Sequence, residues 1–334
     1  MNIIIPMAER GHLLRPHTLT KPKPLLHIAG KSIIQRLVES IAEASEEPIE
    51  KIGFVVGDFG KEIENQLEQI AKSVGAEGHI LYQEHKMGTA HAILCAQSLM
   101  NESVLVVFAD TIFTGSLDVE KDVDGIIWTC KLDEPKGCGV VKMNDNNVIT
   151  KFVEKPEEYV SDMAIIGVYY FRNGMYLKNE LQYLLDNELS ESGKYNLTAA
   201  LDIMNQKDTQ FGVAIVEEWL DCGNKTACLH TNQRILELNK EAEELISPSA
   251  VIENTTVIQP CYIGVGVRLK NSVIGPHVSI EAGTIIEYSI IRNSIIQSNS
   301  YIRHQVLMDS MIGSSVRLEG QTKTLNVGDF STQS

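Results

Sequence analysis

Four basic side chains, Arg10, Arg15, Lys21 and Lys23, fall within a 14-residue stretch, and the loop that carries them has no acidic residue after Glu9. The rest of the chain is acidic: 29 Lys and Arg face 44 Asp and Glu, a net charge of −15. Guanidinium and ammonium groups gathered in one loop suit phosphate oxygens, to which they give charge-assisted hydrogen bonds. The loop is therefore a candidate anion site. The overall balance excludes nucleic acid and anionic membrane as partners, because both select basic surfaces, yet it leaves room for a small anionic substrate in a local basic pocket. The 334 residues, 43% hydrophobic and 22% charged, describe a globular protein long enough for two domains. The six cysteines (Cys95, Cys130, Cys138, Cys222, Cys228 and Cys261) form no C-x-x-C pair and no zinc-like spacing. They read as reduced thiols of a cytoplasmic protein. The longest apolar runs are strand-sized and the start lacks a basic n-region, so neither a membrane span nor a signal peptide is expected.

Positioning that loop requires a scaffold, and the first two thirds of the chain alternate short β-branched runs with helical patterns. Strands are expected at residues 3–5, 52–56, 80–83, 104–108, 125–129, 148–153, 165–171 and 212–216. Helices are expected at 32–44, 61–74, 89–99 and 175–189. Strands alternating with helices indicate an α/β domain on a mostly parallel sheet. Ligands of such sheets bind beyond the carboxyl ends of the strands, which directs attention to the loops after Ile5, Gln83 and Phe108.

The period then changes. Ile246, Ile252 and Ile258 are six apart, as are Ile263 and Leu269, then Ile274, Ile280 and Ile286, then Ile290, Ile296 and Ile302, and finally Ile312 and Leu318. A six-residue repeat with an aliphatic corner marks a parallel β-helix, one hexad per side of a triangular coil; a β-sandwich would alternate with period two. A linker helix over 224–245 joins the halves. The expected division is an α/β domain at 1–235, a coil at 246–321 and a loose tail at 322–334.

The loop at 6–26 resembles the signature loop of the sugar-1-phosphate nucleotidylyltransferases. Arg15-Pro16, Pro22-Lys23-Pro24-Leu25 and Ala29-Gly30-Lys31 match it in order and spacing. Gln83 with Gly88-Thr89-Ala90-His91-Ala92 resembles the family's base-reading segment, and Ala109-Asp110 its strand-end metal aspartate. Gly137-Cys138-Gly139-Val140-Val141, Phe152-Val153-Glu154-Lys155-Pro156, Ile166-Gly167-Val168-Tyr169 and Trp219-Leu220-Asp221-Cys222-Gly223 complete the set. The resemblance covers about residues 1–235. It implies a Rossmann-like nucleotidyltransferase domain followed by a short left-handed parallel β-helix.

By this resemblance the reaction is attack of a sugar 1-phosphate on the α-phosphorus of a nucleoside triphosphate, with release of pyrophosphate. Two anions must be screened and held in line. The resemblance assigns Mg²⁺ to Asp110 and Asp221, catalytic contacts to Lys23, Arg15 and Lys155, and nucleotide binding to Ala8, Gly11, Gln83, Gly88 and Thr89. Gly139, Glu154, Lys155 and Gly167 would hold the sugar phosphate. An amide such as Gln83 matches the edge of uracil or thymine, which favours UTP or dTTP. His91 is expected to face its strand from a helix, and His12 and His17 lie in the basic loop. Glu9, His12 and Leu13 depart from the family loop, as does Ala199 further on. Leu13 removes a guanidinium, a loss worth roughly 10²–10³ in rate for a preorganised donor. The competing reading is a sugar-nucleotide-binding subunit with weakened turnover. Acyl transfer by the coil is a third, but its histidines, His277 and His304, have no recognisable partner in the sequence. Assembly into a homo-oligomer through the coil is the better-supported role.

Overall fold

The computed structural model describes residues 1–119, 123–135, 137–145, 147–190 and 193–322; the expected tail therefore lies, from residue 323 on, outside the described residues. The chain packs as two units. One comprises Met1–Leu26 and Ser32–Asn224; the other takes His27–Lys31 together with the chain from Lys225 on.

In the first unit the strands Val104–Val107, Asn2–Pro6, Lys51–Val56 and Glu77–Tyr82 lie side by side and parallel. Ile3, Ile4 and Ile5 are wholly buried because both faces of this sheet are covered. Alternation sends Ile3 and Ile5 into one core layer and Ile4 into the other. Helix Ile33–Ala44 covers one face with Ile34, Leu37, Val38 and Ile41, at helical spacing, and starts where the Ser32 side chain accepts the Gln35 N–H.

The sheet is extended by antiparallel pairing. Met163–Phe171 runs antiparallel to Val104–Val107 and to Gly125–Lys131, and the hairpin of Val140–Met143 with Ile149–Val153 joins through Ala164. Three short strands escape the sequence pattern: Val140–Met143, Thr111–Thr114 and Glu218–Asp221. The last two pair as a separate ribbon. Helix Leu197–Gln206 is also additional, and the helix expected over 89–99 stops at Leu94, with one 3₁₀ turn at Gln97–Leu99. Among the described residues no helix is long and apolar enough to cross a membrane. None of the six cysteines is in a disulfide.

In the second unit, helix Lys225–Asn239 precedes three parallel sheets of five, four and four short strands, the three sides of a coil. Stacked partners are 17 residues apart from Val251 to Ile285 and 16 apart from there to Arg317, short of three full hexads. Some sides therefore hold five residues, and the inward phase slips. Ile291 is buried in place of the expected Ile290, which is 45% exposed. The shortened corners carry residues at positive φ, among them Asn271, His277, Tyr288, Asn293 and His304. Ile252 and Ile258 are exposed as well, because they belong to the first turn and no coil lies beneath it. Serines repeat up one corner: the Ser289 N–H bonds Ser272 Oγ, and the Gln305 N–H bonds Ser289 Oγ, each at 3.1 Å. His277 and His304 do have partners. His277 Nε2 lies 2.6 Å from Glu237 Oε1, and His304 stacks on Tyr288.

The division differs from the one expected in two respects. Helix Lys225–Asn239 falls wholly with the coil, and so does the segment His27–Lys31. Polar side chains hold that segment. Asn232 Oδ1 accepts the Ala29 N–H at 3.1 Å, Gln297 Nε2 donates to the His27 carbonyl at 3.0 Å, and His27 Nδ1 lies 3.0 Å from Glu281 Oε2.

Candidate active site

A cavity of about 890 Å³ opens at the carboxyl ends of the parallel strands. Met7 and Ala8 line it after the first strand, Gln83 after Glu77–Tyr82, and Ala109 and Asp110 after Val104–Val107. These are the three loops that sheet topology singles out.

Asp110 and Asp221 are distant in sequence and are brought together by the ribbon. Asp221 pairs with Thr111, and the Cys222 N–H bonds the Asp110 carbonyl at 2.9 Å. Lys23 reaches the same point, its Nζ 2.5 Å from Asp110 Oδ2. Burial works against the ammonium charge, but Asp110 and Asp221 outweigh it, and the Lys23 pKa is raised. Burial and the neighbouring Asp110 charge raise the Asp221 carboxyl; the Gly223 N–H and Lys23 offset this only in part. The two carboxylates thus crowd each other's charge around one lysine. Gly11, at φ +83, lies against Lys23, where a Cβ would sit 2.8 Å from the lysine's own.

At one end, Gln83 is held by two bonds from its amide nitrogen, to the Gly88 carbonyl (3.1 Å) and to His91 Nδ1 (3.0 Å). Burial and the neighbouring His85 lower the His91 pKa, which keeps its Nδ1 free to accept. With both amide hydrogens committed, Gln83 offers its oxygen as an acceptor. Gly88 sits at φ +108 against the segment Tyr195–Leu197; a Cβ there would lie 2.4 Å from the Tyr195 carbonyl oxygen. The Ala90 N–H bonds that carbonyl, and the Leu197 N–H bonds Thr89 Oγ1, both at 2.9 Å.

The other end holds Gly139, Glu154, Lys155 and Gly167. Thr198 Oγ1 donates to Glu154 Oε2 at 2.6 Å, while Lys155 Nζ lies 3.8 Å from Glu154 Oε1 with its side chain 65% exposed. Lys155 itself adopts φ 42, a sparsely used conformation for a residue with a Cβ. Gly167, at φ +88, forms the irregularity where Met163–Phe171 shifts register against Gly125–Lys131, and its carbonyl accepts the Phe108 N–H. Tyr169 also lines the cavity, and burial pushes its phenol far up.

Eleven of the thirteen site residues read from sequence line this cavity; Arg15 and Gly11 do not. Arg15 is exposed at the end of a 3₁₀ turn. Arg10 points elsewhere as well, its guanidinium over the Phe59 ring at 5.7 Å. Glu9 and Leu13, the departures in the loop, do face the cavity. Lys194 lines it too, its Nζ 3.9 Å from Glu9 Oε1. Both of these side chains are more than half exposed, so the pair is worth about 0–1 kcal/mol. Lys86, Lys194, Asn196 and Thr198 were not among the residues read from sequence.

A family model described as nucleotidyl transferase matches residues 7–237. The chain belongs to the nucleotidyl transferase family. Relatives of this transferase include a bifunctional protein GlmU from Methanococcus maripaludis, 30% identical, covering 98% of this chain and 81% of that protein. A glucose-1-phosphate thymidylyltransferase from Streptomyces antibioticus is 28% identical over 99% of this chain and 97% of that one. A GlmU protein from Methanocaldococcus jannaschii is 27% identical over 98% and 81%. The matched segment contains every residue that lines the transferase's cavity except Pro6.

Proposed function

We propose that this enzyme transfers a nucleotidyl group from UTP or dTTP to a sugar 1-phosphate and releases pyrophosphate. One observation carries the reading: Lys23, Asp110 and Asp221 gather in the same cavity as an acceptor amide at Gln83 and a hydrogen-bonded carboxylate at Glu154. The names of the relatives support the substrate classes, since they include a thymidylyltransferase acting on glucose 1-phosphate.

The chemistry follows from charge. The attacking group is a phosphate oxygen that is already anionic, so no general base is required; what is required is screening and alignment. Lys23 is a compact charge on a flexible stem and can shift from Asp110 to the α-phosphate as it is attacked. Among the described residues no group of three His, Cys, Asp or Glu side chains forms a metal site. Two crowded carboxylates nevertheless fit Mg²⁺, which commonly takes one or two protein oxygens and completes its shell with phosphates and water. Bound by Asp110 and Asp221, the ion would neutralise charge on the reacting phosphates. Glu154, aligned by Thr198, would accept sugar hydroxyls, with Lys155 on the sugar phosphate. Gln83 Oε1 would accept the N3–H of uracil or thymine, while backbone N–H groups near Gly88 serve the base carbonyls.

Pyrophosphate release measured with Mg²⁺ across a panel of triphosphates and sugar 1-phosphates tests this directly. UTP or dTTP should lead; preference for GTP would overturn the base assignment. A second reading, a nucleotide-sugar-binding subunit with weakened turnover, is favoured by Glu9 and Leu13 facing the cavity while Arg10 and Arg15 do not. Turnover that appears only in the double variant Leu13→Arg, Glu9→Gly would select it. We also propose that the protein is cytoplasmic and assembles as a homo-oligomer through the coil. The support for assembly is that Ile290 and Val306 stack in register on one side of the coil with 45% and 78% exposure.

A further inference from the structure

Four lysines line the cavity. Lys23 is bonded to Asp110, and Lys155 lies beside Glu154. Lys194 reaches the other rim, where the loop after the first strand presents Glu9 and Leu13. Lys86 is the fourth, and neither arginine of the loop lines the cavity at that rim. Arg10 packs over Phe59, with Nη2 3.5 Å from the Asp58 carbonyl, and Arg15 lies outside the cavity lining.

The backbone that carries Lys194 is held firmly. The Tyr195 N–H bonds the Met87 carbonyl at 2.8 Å, the Tyr195 carbonyl accepts from Ala90, and Gly88 leaves no space between them. The Lys194 side chain, by contrast, is 59% exposed, and its ion pair with Glu9 is long at 3.9 Å. This is a cation on a fixed base, loosely parked against a carboxylate that a phosphate can outcompete.

We propose that Lys194 contacts the β- and γ-phosphates of the bound triphosphate and the pyrophosphate that leaves, with Glu9 holding it at the rim while the cavity is empty. The inference rests on the nucleotidyl-transfer reading of this cavity. A base at Gln83 and an α-phosphate at Lys23 and Asp110 leave the outer phosphates to extend along the loop toward Glu9. During transfer the bond from the α-phosphorus to the sugar phosphate oxygen forms. The bond to the bridging oxygen breaks, and its electron pair goes to pyrophosphate. The Lys194 ammonium donates hydrogen bonds to that developing charge and gives up no proton.

Kinetics of the full-length chain in both directions test the assignment. Lys194→Met should raise the KM for pyrophosphate in the reverse reaction roughly tenfold and lower the forward kcat by a similar factor, since the contact strengthens as charge leaves. The KM for the nucleotide sugar should stay unchanged, and Lys194→Arg should recover most of the loss. If the methionine variant melts early, Lys194→Gln carries the same expectation. An active wild type whose Lys194 variants keep the pyrophosphate KM and kcat overturns this assignment and leaves the transfer reaction standing. A wild type that shows no pyrophosphate exchange with any nucleotide sugar overturns both.

Discussion

Asp221 illustrates how a single side chain links stability and chemistry. Its carboxyl is raised above 3.8 by burial and by Asp110, so the folded protein holds that proton to higher pH than the unfolded chain does. The ionised group therefore costs stability, and the cost develops as pH rises from 3.8 through the raised value. Asp221→Asn removes the cost and keeps an oxygen for the Gly223 N–H. We expect a melting temperature equal to or above wild type at neutral pH, with turnover cut roughly 10²-fold or more. Undiminished turnover in that variant, or in excess chelator, would remove the metal assignment. Wild-type turnover should also fail on the acid side as Asp221 takes up its proton, above the pH at which an ordinary aspartate does. His91 provides a second titration with the opposite sense. Its pKa lies below 6.5, so protonation of the unfolded chain comes first, and the fold loses stability as pH falls from 6.5 through the lowered value. Protonated Nδ1 cannot accept from Gln83, and the amide must turn its donor side toward the base. The KM for the triphosphate should rise as pH falls through that lowered value, with kcat less affected. His91→Asn, which keeps an acceptor without titrating, should flatten that rise; an identical pH profile in the variant would refute the coupling.

The elements matter here chiefly through the strap of Tyr195–Leu197 across the loop that holds Gln83. Gly88 is needed at this crossing for two independent reasons: its φ of +108 disfavours any residue with a Cβ, and that Cβ would lie 2.4 Å from the Tyr195 oxygen. Gly88→Ala should cost about 1–3 kcal/mol of stability from backbone strain alone. It should also weaken triphosphate binding more than sugar phosphate binding, because the displaced segment is bonded to Thr89 and Ala90. Calorimetric melting and separate KM values for the two substrates would check this; a variant with wild-type stability would show that the crossing relaxes freely. The coil is a different kind of element. Its inward row of Ile263, Leu269, Ile274, Ile280, Ile286, Ile291, Ile296 and Ile302 is fully or almost fully buried, and each turn rests only on its neighbours.

For the molecule as a whole, the path of the chain changes what truncation should do. Every residue that lines the cavity belongs to the first unit, so removing the coil from Ser247 onward should leave the constellation of catalytic side chains present. The coil is still not a detachable appendage, because His27–Lys31 belongs to its unit and is bonded by Gln297 and Glu281. A protein truncated at Ser247 should lose the proposed oligomer in light scattering and also melt at a lower temperature. Equal melting temperatures before and after the cut would contradict the second expectation, and an unchanged oligomer the first.

What could be read without coordinates was whatever depends on local period. The eight expected strands and the principal helices are present because alternation, helical spacing and punctuation are properties of a few neighbouring residues. Thr111–Thr114, Val140–Met143 and Glu218–Asp221 were not read, since four-residue strands carry too little pattern. The six-residue rhythm identified a coil but misplaced Ile290, because a corner residue at positive φ shortens a side without changing the composition of the strand beside it. Motifs named Lys23, Gln83, Asp110, Glu154 and Asp221, and all five line one cavity. The direction in which a flexible cation points is not a local property. Arg15 belongs to a matching motif and lies outside the cavity lining, whereas Lys194 belongs to none and lines the cavity beside Glu9. Sequence period determined which elements form and in what order. Long-range pairing, such as Thr111 with Asp221, decided which charges meet, because only the folded chain brings residues so far apart within reach of one phosphate.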